Sequence, residues 1–320
     1  MRGQDSLATQ DGTTVRHWIR AELANLPEPD AADPEASRKM GETLKSFIAR
    51  VIRDRVGDPS TKDAFKNQLV IQFSALSEEL LPRDETTPLK ATALATGLTT
   101  LRRVETVKGL KAALTSRFPA ARYEGAYALR ELHAELEKAN LVPDVVGALR
   151  AAGVKEEDPV VRAHMYLALS IPGQVSATVD ALLAILDARL DAMRKTPMVV
   201  GGDGPLPFEY LRAEADRLSA GQPEAVVKRC ATFLRLTAAQ YAQPGAREFT
   251  HDVNLEHTLT AIEALLEKLT RNAGGVRKAM ETKDESLGGR ILEAAQAWYG
   301  APDKPGVLNA DPWRVELGAP

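Results

Sequence analysis

Asp158-Pro159-Val160-Val161-Arg162-Ala163-His164-Met165-Tyr166-Leu167-Ala168-Leu169 reads as the opening of a helix with one buried face. Asp158 offers a side-chain oxygen to the first free N–H groups, and Pro159 takes the first helical position, where a missing N–H costs nothing. Small alanines on the inner face let the next helix approach closely. Forty residues earlier, Pro119-Ala120-Ala121-Arg122-Tyr123-Glu124-Gly125-Ala126-Tyr127-Ala128-Leu129 repeats the pattern. The two stretches superpose at the proline, the arginine and the terminal Ala-Leu. Pro88-Leu89-Lys90 and Pro223-Glu224-Ala225-Val226-Val227-Lys228 look like looser copies, at spacings that depart from forty.

Working outward, helical periodicity runs from end to end. Val15, Trp18, Ile19, Leu23 and Leu26 form one apolar stripe, which stops at Pro27-Glu28-Pro29-Asp30. Met40, Leu44, Phe47, Ile48, Val51 and Ile52 mark a second helix, closed near Gly57, and a third runs from about 61 to 81. Further helices are expected near 88–101, 104–116, 119–139, 143–152, 159–171, 175–194, 207–219, 223–242, 252–272 and 285–299. No sustained period-2 stretch competes with them. The one strand-like piece is Met198-Val199-Val200, ahead of Gly201-Gly202-Asp203-Gly204. The fold class read from this pattern is all-α.

Asp158-Pro159-Val160-Val161-Arg162 followed by Ala168-Leu169 resembles the second helix of a HEAT repeat, with the flanking stretches 143–152 and 175–190 as first helices. The resemblance to this armadillo-type family covers about 104–190. It implies antiparallel helix pairs stacked into a curved solenoid, with irregular flanking helices. The division expected is an N-terminal helical segment at 1–82, a repeat domain at 83–299 and an extended Pro/Gly-rich segment at 300–320.

Composition limits the function classes. The 320 residues carry 44% hydrophobic and 27% charged side chains, enough for a core and against global disorder. A net charge of −3 disfavours a protein that grips nucleic acid through bulk positive charge. The single cysteine, Cys230, excludes an intramolecular disulfide and a multi-cysteine zinc site. It lies on an apolar stripe and reads as a small buried hydrophobe. No apolar run is long enough to span a membrane and no signal-peptide pattern opens the chain, so a cytoplasmic location is expected, with export after removal of a leader as the alternative.

Catalytic and cofactor motifs do not emerge. His251 and His257 sit six residues apart, on different sides of a helix, and read as part of a polar helix start. The His-Glu pairs implied by a HEAT-like iron hydroxylase are missing. Gly201-Gly202-Asp203-Gly204 and Asn272-Ala273-Gly274-Gly275 lack the Lys-Ser/Thr of a phosphate loop. No catalytic residue, cofactor or metal ligand is assigned.

One stretch stands out by charge. Between Arg102 and Arg130 seven basic residues face two acidic ones, Glu105 and Glu124. Arg102, Arg103, Lys108, Lys111, Arg122 and Arg130, with Tyr123 and Tyr127 one turn apart, form a candidate surface for an acidic partner or for phosphate. Trp313, in a final segment that also carries Val307, Leu308, Val315 and Leu317, is a candidate anchor for a partner or for the chain's own last helices. The function expected is a non-catalytic scaffold or adaptor binding another protein. The resemblance also implies an alternative, base excision in a basic groove with Glu124, Tyr123, Tyr127 and Tyr166 as the nearby groups. A self-assembling structural subunit is the third reading.

Overall fold

Alanine-rich stretches with a proline in the first turn leave the chain little choice but helix, and helix is what a computed structural model shows. It describes residues 2–28, 33–171, 173–195, 203–243, 249–301 and 304–316. Among these the only extended pairing is an isolated bridge between Ala301 and Lys304, so the protein is all-α. Met198-Val199-Val200 lies outside the described residues. No helix of the described residues is long and apolar enough to cross a membrane.

Two compact units divide the chain, Met1–Ala152 and Gly153–Pro320. The divisions expected at 82/83 and 299/300 therefore fall inside units, and the division at 152/153 falls inside the stretch that resembles HEAT repeats. The first unit comprises α1 (Arg2–Ala24), α2 (Ala36–Ile48), α3 (Asp54–Gly57), α4 (Asp63–Leu80), α5 (Pro88–Leu101), α6 (Val107–Leu114), α7 (Pro119–Glu131), α8 (His133–Lys138) and most of α9 (Val142–Gly153). A π-helical turn, Ala49–Arg53, joins α2 to α3 without a break, so the three act as one rod.

Contacts in this unit alternate. α1 packs on α4 and α4 on α6; α2 packs on α5 and α5 on α7. Two layers result, each built from every second rod, with α4, α5, α6 and α7 also touching in sequence. Residues 1–82 thus belong to the same pair of layers as the helices that follow, since α1 packs on α4 and α4 on α6. Ile19, Leu69, Phe73 and Leu76 are fully buried there.

The second unit holds α10 (Pro159–Leu169), α11 (Val175–Lys195), α12 (Leu206–Ala213), α13 (Gln222–Tyr241), α14 (Phe249–Thr270), α15 (Val276–Ala279) and α16 (Leu287–Tyr299). It follows the same rule: α10 packs on α12 and α12 on α14, while α11 packs on α13 and α13 on α16. α15, a single turn, does not interrupt the alternation. Pro223 therefore opens a helix of the opposite layer from Pro159, and the layer partner of α10 is the Leu206–Ala213 helix behind Pro205 and Pro207. The long spacing from Pro159 to Pro223 arose from matching helices of different layers.

The duplicated entry is duplicated in its bonds. Arg122 Nη1 donates to Ser116 O at 3.0 Å, and Arg162 Nη1 donates to Glu156 O at 2.9 Å, six residues back in both cases. The side chain of that same residue accepts the N–H two positions on, Phe118 N to Ser116 Oγ and Asp158 N to Glu156 Oε1. Asp158 also caps α10 as expected, accepting from Val160 N at 2.8 Å and Val161 N at 3.1 Å.

Close approach between α4 and α5 depends on Gly97. A Cβ there would lie 2.3 Å from Phe73 Cζ and 3.1 Å from Ile52 Cδ1, both in fully buried side chains. Replacing Gly97 by alanine should destabilise the protein by about 1–3 kcal/mol despite a helix-propensity gain of about 1 kcal/mol. An unchanged thermal midpoint would show that α5 shifts freely.

Candidate functional site

The basic stretch spans the end of α5, all of α6 and α7, and most of its charge is already engaged. Arg102 closes α5 in the left-handed conformation, and its guanidinium lies 3.8 Å from Glu131 Oε2. Arg103 donates to Asn67 Oδ1 at 2.9 Å and pairs with Glu105 at 3.4 Å. Lys111 Nζ reaches both oxygens of Asp144, at 2.6 and 2.7 Å. Arg117 binds the carbonyls of Asp84 and Thr86, and Arg122 is spent on the helix entry described above. Lys108 and Arg130 are exposed and have no ion-pair partner among the described residues. They sit on the adjacent helices α6 and α7, and Arg130 is one turn beyond the Tyr123–Tyr127 pair. The two rings stack with centroids 6.4 Å apart and planes within 3°. The structure thus leaves two unpaired basic residues, one on each of two contacting helices, and not a seven-charge groove.

Glu124, on the same helix, is half-buried against α5. Burial raises its carboxyl above the ordinary range, opposed by the hydroxyls of Thr99 and Thr96. Tyr166 is buried in the second unit, 2% exposed, so it lines no open groove. His257 is exposed on α14, and no group of three or more His, Cys, Asp or Glu among the described residues is placed to hold a metal. Cys230 is buried, and burial pushes its thiol pKa far up.

The final segment folds back on its own unit. A 3₁₀ turn, Val307–Asn309, packs on α16; Leu308 and Val315 are buried, joined by Val315 N to Leu308 O at 2.8 Å. Trp313 is left half-buried, its backbone N–H donating to Ala310 O at 3.0 Å.

A second constellation went unread in the sequence. Arg162 and Arg189 converge on Asp203, whose side chain is completely buried. Arg162 Nε donates to Asp203 Oδ2 at 2.6 Å and Nη2 to Oδ1 at 3.3 Å. Burial works to lower the Arg162 pKa, and the Asp203 carboxylate outweighs it, so the guanidinium stays firmly charged. Arg189 Nη1 lies 3.1 Å from Asp203 Oδ2, and its guanidinium faces the Phe233 ring at 5.9 Å. The arginines border a cavity of about 320 Å³ between α11 and the turn that leads into α10. Only Arg162 carried a signal, through its place after Pro159. Arg189 sits in an ordinary amphipathic helix, and Asp203 in what reads as a glycine loop.

The fold defines an all-α protein of alternating two-layer units. No protein-family model, no curated protein and no solved structure matches the chain.

Proposed function

We propose that the protein is a non-catalytic scaffold or adaptor that binds an acidic protein surface through the α6–α7 face of its first unit. The reading rests on one observation: Lys108 and Arg130 stay exposed and unpaired on adjacent helices while the other basic groups around them are taken up internally. Arg130, one turn from a stacked, half-buried tyrosine pair, gives a contact with both electrostatic and apolar components. The repeated entry at Pro119 and Pro159 and the alternating layers support a HEAT-like stack as the scaffold.

The test is quantitative capture from the native source extract at low and high salt, with crosslinking at Lys108 to locate the contact. Reversal of both charges, Lys108→Glu with Arg130→Glu, should weaken capture of the partner by about tenfold or more. Capture unaffected by the double reversal would sink the proposal, and selective retention of DNA at low salt would move the assignment to nucleic acid.

A further inference from the structure

We draw no further inference here: the strongest candidate, the side-chain cluster of Arg16, Arg20 and Arg83 around Glu79 on the α1–α4 side of the first unit, carries nothing, because Glu79 already engages all three guanidiniums, their side chains stand 35%, 44% and 52% exposed to water, and nothing in the structure shows what else would cover them.

Discussion

Replacing Asp203 by alanine is expected to cost about 3–5 kcal/mol of folding stability, the largest loss from any single carboxylate in the second unit. Asp203 is the common counter-ion of Arg162 and Arg189, and removing it strands two guanidiniums that are nearly buried. Arg162 cannot move into water without breaking its bonds to the Glu156 and Glu157 carbonyls. Asp203→Asn, which keeps acceptor capacity but not charge, should fall between wild type and alanine. The control is Asp144→Ala on α9, which removes a pair with Lys111 whose side chains are 30% and 53% exposed. Exposed pairs are worth about 0–1 kcal/mol, so that variant should be nearly silent. Urea unfolding followed by circular dichroism gives all three values. Equal midpoints for Asp203→Ala and Asp144→Ala would mean that the buried cluster relaxes without cost.

The second large effect concerns Glu263, 1% exposed in the middle of α14. Its carboxylate is the N-terminal acceptor for α15, taking Val276 N–H at 2.6 Å and Arg277 N–H at 2.8 Å. Trp298 Nε1 adds a longer bond at 3.4 Å. Oriented N–H groups and the positive end of the turn are what make a buried carboxylate tolerable here. Glu263→Ala leaves those donors unfilled around a void and should destabilise by about 3 kcal/mol. Glu263→Gln, which keeps one carbonyl oxygen, should lose roughly half as much. Urea unfolding read by circular dichroism is again the measure, and an alanine variant with a native midpoint would refute the capping role.

Much of the fold was legible because its signals are local. Prolines at helix entries, the Asp158 cap and the 3.6-residue apolar stripes place most helices within a few residues of the structure; α5 begins at Pro88 and ends at Leu101 as read. The layers were less legible. Pro223 resembles Pro159 over a few residues, yet the two open helices in opposite layers, and the short α12 behind Pro205 was the missing partner. Local matching cannot see which helix faces which. The basic stretch illustrates the same limit: its composition was plain, but its pairing with Asn67, Glu131 and Asp144 comes from residues distant in sequence. Trp313 read as an anchor because tryptophan is large; Leu308 and Val315, which bear the burial, gave a weaker signal. The Arg162–Arg189–Asp203 cluster spans 41 residues and three separate contexts, and nothing in one sequence links them.

The alternation of layers has a kinetic consequence. Each rod packs on its next-but-one within its unit, so these layer contacts close loops of a few tens of residues. Loop-closure entropy grows slowly with length, and chains dominated by such short closures fold fast. In each unit the first three rods already contain one layer contact, α1 on α4 and α10 on α12. Structure then propagates rod by rod from whichever end is available, as the growing polypeptide leaves the ribosome.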